Sequence, residues 1–241
     1  MVKESLIFFR DPKSPVSEAY RTLRTNIQFS GVDKALKIIT ITSSDVGEGK
    51  TTTICNLAIT MALSGKKVIL IDADLRKPRV HSKFMISNET GLTNILAQKK
   101  PLESVIKTAS VKDLDIITSG PIPPNPSELL QSESMGNFLE DLKKKYDYIL
   151  LDTPPVGMVT DAAILAAKSD GIILVVTSGK THIDEAKRAK QLLLNVDAKI
   201  LGVVLNKVNR YEKGYYQKYY RYYEDEKKAS KKSRKKRRSN E

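Results

Sequence analysis

The chain has 241 residues, 41 Lys plus Arg against 28 Asp plus Glu, and a formal net charge of +13. A hydrophobic content of 40% excludes a wholly disordered chain, a single cysteine excludes an internal disulfide, and no apolar run reaches the roughly 20 residues that span a bilayer as a helix. The charge is uneven: residues 227–241 carry +8, which leaves +5 for the 226 residues before them.

In chain order, residues 1–30 read as an N-terminal helical arm, 31–210 as one α/β domain and 211–241 as a flexible tail. Within the arm, Glu18, Arg21 and Arg24 recur every third residue and share one helical face. That face can dock on an acidic neighbour through forked arginines, or stay solvated with an i,i+3 ion pair. Apolar runs at 36–42, 67–72, 114–118, 148–152, 171–177 and 199–206 lack polar alternation, the pattern of strands covered on both faces. Between the first two, Ile54, Leu57, Ala58, Met61 and Ala62 repeat with the spacing of a helix packed on a sheet. Further helices are expected over 133–145, 161–168 and 183–195, and a stiff proline-rich loop over 120–127. This alternation predicts a doubly wound, mostly parallel sheet flanked by helices, with right-handed crossovers.

The chemistry concentrates at three strand ends. Ser44-Asp45-Val46-Gly47-Glu48-Gly49-Lys50-Thr51-Thr52 follows a strand and opens a helix, the setting in which a P-loop NTPase cradles phosphates with backbone N–H groups. Lys50 is placed to reach the β- and γ-phosphates, and the Thr51 hydroxyl to ligate Mg²⁺. The usual first glycine of the pattern is replaced by Ser44. A second strand ends in Asp72-Ala73-Asp74, followed by Leu75-Arg76, and a third in Asp152-Thr153-Pro154-Pro155. Ligands in open parallel sheets sit beyond the carboxyl ends of the strands, so Asp152 is a candidate for the metal, and Asp72 and Asp74 for proton acceptance and metal positioning. Taken singly, each aspartate is also what a turn or cap uses. Arg76-Lys77-Pro78-Arg79 either lines the phosphate end of the cleft or forms a solvated basic loop. Asn206 closes the last strand, where it is either a turn residue or a nucleotide contact. Cys55 reads as core, and His81 and His182 are too far apart to make a metal site.

With these motifs in place, the chain resembles the bacterial tyrosine kinases of capsule and exopolysaccharide synthesis, a branch of the deviant P-loop ATPases. The resemblance rests on Gly47-Glu48-Gly49-Lys50-Thr51-Thr52, Asp72-Ala73-Asp74-Leu75-Arg76, Leu151-Asp152-Thr153-Pro154-Pro155, Glu18-Ala19-Tyr20-Arg21-Thr22-Leu23-Arg24 and Ser119-Gly120-Pro121, and covers roughly residues 14 to 223. Val46 departs from it, since the family usually has proline there; proline supplies no ligand at that point. The resemblance implies ATP and Mg²⁺ as cofactors, with Asp72 activating a tyrosine hydroxyl, Thr51, Asp74 and Asp152 serving the metal, and Asn206 recognising the base. It implies that Glu18, Arg21 and Arg24 build contacts in a ring of subunits. It also implies that Tyr211, Tyr215, Tyr216, Tyr219, Tyr220, Tyr222 and Tyr223 accept phosphate from a neighbouring subunit.

Seven of the ten tyrosines fall in that 13-residue segment, without the aliphatic partners a core needs. They favour a kinase over the other class considered, a partitioning or positioning ATPase whose nucleotide state controls dimerisation and DNA or membrane binding. Such ATPases usually place a further lysine early in the phosphate loop, and this loop has none. The resemblance, together with the lack of a membrane-spanning run, implies a cytoplasmic protein-tyrosine kinase, recruited to the inner face of the membrane by an adaptor of the polysaccharide co-polymerase type. It acts on protein substrates and has no specific nucleic-acid partner.

Overall fold

The computed structural model describes residues 6–31 and 35–209. Seven strands form one sheet: β1 Ile38–Ser43, β2 Val68–Asp72, β3 Lys107–Thr108, β4 Leu114–Ile117, β5 Tyr148–Asp152, β6 Gly171–Thr177 and β7 Ile200–Asn206. Their order is β3-β4-β2-β5-β1-β6-β7, parallel throughout except for the antiparallel edge pair β3–β4. The helices are α1 Ile7–Arg10, α2 Pro15–Ser30, α3 Lys50–Ala62, α4 Val80–Phe84, α5 Leu92–Gln98, α6 Pro126–Gln131, α7 Glu133–Lys145, α8 Asp161–Ala167 and α9 Ile183–Leu194.

The strands alternate between two buried faces, as a period of two requires. Ile39 and Ile41 of β1, with Val68 and Leu70 of β2, pack among residues of α1, α2 and α3. Ile38, Ile69, Ile71, Ile149 and Leu151 face the other way, onto α5, α6 and α7. A third cluster joins Ile172 and Leu174 of β6 to α8 and α9. Every residue of α3 from Thr53 to Ala62 is buried, which fixes the helix that starts at the phosphate loop. Residues 6–31 belong to the first of these cores: Leu6, Ile7, Phe8 and Ile27 are buried there. Ser14 caps α2, accepting from the Ser17 N–H at 3.1 Å, with Pro15 at the first helical position.

The strand and long-helix expectations match to within two residues. Three short helices were not expected. The five residues of α4, seven of α5 and six of α6 are too few for a 3.6-residue stripe to emerge. The proline-rich segment is loop only to Asn125; Pro126 begins α6, because a first helical position has no N–H to lose. The two-residue edge strand β3 also went unseen. The chain divides after Asn206, and the seven clustered tyrosines and the basic tail lie outside the described residues.

Gly91 sets one tight approach. A Cβ there would lie 2.1 Å from the Thr118 carbonyl oxygen and 2.2 Å from the Gly120 nitrogen, both backbone. Gly91→Ala should therefore force apart the 88–91 and 118–120 segments and cost about 1–3 kcal/mol. A thermal melt unchanged from wild type would contradict that packing.

Candidate active site

The topology that matters is β2-β5-β1, three adjacent parallel strands. Asp72 and Asp152 are register partners across β2 and β5, and Asp152 is the partner of Ile41 across β5 and β1. The carboxyl ends of these strands thus bring together the phosphate loop and both acidic motifs. Ladder pairing makes the two buried carboxylates neighbours, an arrangement that like charges disfavour.

The loop winds from β1 into α3 with Gly47 at φ +75° and Gly49 at φ +95°. Gly49 is confined twice over, since a Cβ there would fall 2.1 Å from Asn206 Nδ2. The N–H of Val46 donates to Asp45 Oδ1 at 2.7 Å, a restraint that proline at this position would lack. Glu48 is only 4% exposed, and its Oε2 accepts from the N–H groups of Ser44 (2.7 Å) and Asp45 (3.0 Å). Asn206 Nδ2 donates to the Glu48 carbonyl at 2.8 Å, which fastens the end of β7 to the loop.

Lys50 opens α3, and its Nζ lies 2.9 Å from Asp74 Oδ2 and 3.9 Å from Asp152 Oδ1. Burial works against its charge, but Asp152 and Asp74 outweigh that and raise its pKa. Asp74 Oδ1 accepts from the Lys77 N–H, and Asp72 Oδ2 from the N–H groups of Arg79 and Val80. The 76–80 turn therefore wraps both aspartates with backbone donors. Asp72 Oδ1 and both Asp152 oxygens are buried without a hydrogen-bond partner. Burial, then the charge of Asp152, pushes the Asp72 pKa up to about 8. Burial also raises Asp152, against the pull of Lys50 and the Thr51 hydroxyl.

Three carboxylates share one lysine, so the cluster carries surplus negative charge when ionised. Its uncommitted oxygens and the neighbouring Thr51 hydroxyl fit a hard divalent cation. Among the described residues no three His, Cys, Asp or Glu side chains already form a metal nest. Mg²⁺ usually takes one or two protein oxygens and completes its shell with phosphate and water.

Other expected residues fall elsewhere. Arg76 forks onto the fully buried Asp161 at the start of α8 (Nε–Oδ2 2.9 Å, second contact 3.0 Å), so its guanidinium braces the 76–80 turn. Glu18 and Arg21 pair with each other at 2.7 Å, Arg21 stacks over the Phe8 ring, and Arg24 donates to the Thr60 carbonyl on α3. These three stand apart from the carboxylate cluster. Asp161 was not anticipated; it belongs to no motif and becomes visible only through its partner Arg76.

Residues 36–199 match the family model described as an AAA domain. The tyrosine-protein kinase YwqD of Bacillus subtilis (strain 168) is 47% identical over 218 residues, 89% of this chain and 92% of that protein. The chain belongs to the bacterial tyrosine-protein kinases. Among solved structures, the chimerical protein CapA2B2 superposes on this kinase with a TM-score of 0.82 at 42% identity, covering 85% of this chain and 90% of that one. The septum site-determining protein MinD of Pyrococcus horikoshii, complexed with Mg-ADP, gives 0.61 at 26% identity over 75% and 72%. The kinase binds nucleotide on a P-loop fold shared with the MinD-like ATPases, and it stands nearer to the kinase branch.

The raised acids carry a thermodynamic sign. A carboxyl that holds its proton more tightly when folded contributes stability at low pH, and that stability is lost as pH climbs from the ordinary carboxylate range towards about 8. The melting temperature of the nucleotide-free kinase should accordingly fall across that window. Asp152→Asn should flatten the fall and raise the midpoint, by roughly 2–4 °C per kcal/mol of repulsion relieved. A wild-type midpoint that rises with pH over this range would refute the charge accounting.

Proposed function

We propose that this kinase transfers the γ-phosphoryl group of ATP to Tyr211, Tyr215, Tyr216, Tyr219, Tyr220, Tyr222 and Tyr223 of a neighbouring copy. The observation that carries the reading is Asp72: one carboxylate oxygen is fixed by two backbone N–H donors, while Oδ1 is buried without a partner. A base so held accepts the phenolic proton as the new O–P bond forms and the bond from the γ-phosphorus to ADP breaks. Lys50 would turn from Asp74 to the phosphates, and Thr51, Asp74 and Asp152 would hold Mg²⁺, which would neutralise phosphate charge. The N–H groups of the loop and the α3 N-terminus supply the rest of the phosphate cradle.

Each phosphate adds about −1.5 to −2 charges, so full modification of the cluster outweighs the +8 of residues 227–241. We infer that phosphorylation loosens a ring-like assembly built through Glu18, Arg21 and Arg24, and so regulates capsular or exopolysaccharide synthesis. A membrane adaptor would recruit and activate the kinase; among the described residues no helix is long and apolar enough to cross a membrane.

Incubation with Mg-ATP, with and without the cytoplasmic segment of such an adaptor, followed by mass spectrometry of the tail, tests the transfer. Phosphotyrosine should appear in wild type, vanish in Lys50→Met and form at least about 100-fold more slowly in Asp72→Asn. Its absence from wild type under both conditions would defeat the reading. Transfer between copies is checked by mixing Lys50→Met with an active chain whose seven tail tyrosines are phenylalanine. Phosphate should then accumulate on the Lys50→Met tail, and a bare tail in that mixture would argue for transfer within one chain.

A further inference from the structure

The phosphate loop is tied to the rest of the molecule by hydrogen bonds that close into a circuit. The Thr181 hydroxyl, in the turn between β6 and α9, donates to Glu48 Oε1. The Thr181 hydroxyl oxygen accepts from the Thr177 N–H at 2.8 Å, and the Thr181 N–H donates back to the Thr177 carbonyl at 3.0 Å. One residue on, the Ser178 N–H donates to the Asn206 carbonyl at 2.9 Å, and the Asn206 side chain returns to the Glu48 carbonyl. The path runs from loop to β6 turn, from β6 turn to β7, and from β7 back to the loop.

The circuit centres on a buried acid. Glu48 satisfies one oxygen with the two N–H groups that begin its own loop. A buried carboxylate needs donors on both oxygens, and for Oε1 the donor is Thr181. Glu48 thereby divides the loop. Ser44 and Asp45 give their N–H groups to the Glu48 carboxylate and hold the curl closed, with the N-terminus of α3 behind it to face phosphate.

We propose that Thr181 is a positioning residue for the nucleotide: acting through Glu48, it keeps the phosphate loop in its binding conformation. This rests on reading residues 44–52 as the nucleotide loop. When only a fraction of molecules hold the competent loop, apparent affinity drops by that fraction. Removing the Thr181 hydroxyl strips a buried carboxylate oxygen of its donor and should weaken Mg-ADP binding about tenfold. Serine keeps the hydroxyl and should restore it.

The experiment titrates full-length wild type, Thr181→Val and Thr181→Ser with a fluorescent ADP analogue in Mg²⁺, and follows phosphate transfer to tyrosine in parallel. Expected are about tenfold weaker binding for T181V, binding within about twofold of wild type for T181S, and a KM for ATP that rises more than kcat falls in T181V. Wild-type affinity in T181V, or T181S as weak as T181V, would overturn the proposal. If T181V does not melt cooperatively, Thr181→Ala replaces it, since it also lacks the hydroxyl that meets Glu48; wild-type affinity in T181A would equally overturn the clamp. Thr181-dependent binding in a wild-type protein that modifies no tyrosine would support the clamp while sinking the kinase reading.

Discussion

Three buried carboxylates around a single ammonium set the terms for the rest of this molecule. Asp72 and Asp152 are register partners on neighbouring strands, Asp74 lies two residues beyond Asp72, and Lys50 reaches Asp74 directly and Asp152 at longer range. Burial of like charges in a low-dielectric site is unfavourable, and the structure offsets it in two ways. The 76–80 turn wraps Asp72 and Asp74 in backbone donors, and Arg76 braces that turn by forking onto Asp161. What is left over, the buried oxygens of Asp72 and Asp152 that no hydrogen bond in the structure satisfies, is a site that gains from a cation. On the proposed reading, nucleotide with its metal would relieve that repulsion.

The architecture around the cluster serves to hold it rigid. Placing β5 between β2 and β1 brings both acidic strand ends to the phosphate loop. Buried from Thr53 to Ala62, α3 gives that loop a fixed base, and α2 leans on α3 through Arg24 and the Thr60 carbonyl. The same helix carries Glu18 and Arg21, so the proposed subunit contact and the nucleotide site rest on one shared element.

Much of this was legible in the sequence because it lay in runs. Central strands with both faces buried read as unbroken Val, Ile and Leu, and the acids ended those runs. Lys50, Thr51, Asp72, Asp74 and Asp152 were therefore nameable, and the structure brings Lys50 and the three aspartates within one cluster. What escaped was either short or distant. Helices α4, α5 and α6 span fewer than two full turns, too few for periodicity. Thr181 is 133 positions from Glu48 and Asp161 is 85 from Arg76, separations at which a single sequence carries no pairing signal. Asn206 is legible as a strand-end residue, but the hydrogen bond its side-chain amide donates to the Glu48 carbonyl is a tertiary fact.

The central claim is that the surplus charge of Asp72, Asp74 and Asp152 is built for a metal–nucleotide pair. Titrating ADP into wild type and Asp152→Asn, each in Mg²⁺ and in chelator, tests it most directly. Magnesium should tighten ADP binding to wild type by about tenfold or more, and Asp152→Asn should lose most of that gain. Equal affinity with and without Mg²⁺ in wild type, or an undiminished gain in Asp152→Asn, would contradict the account.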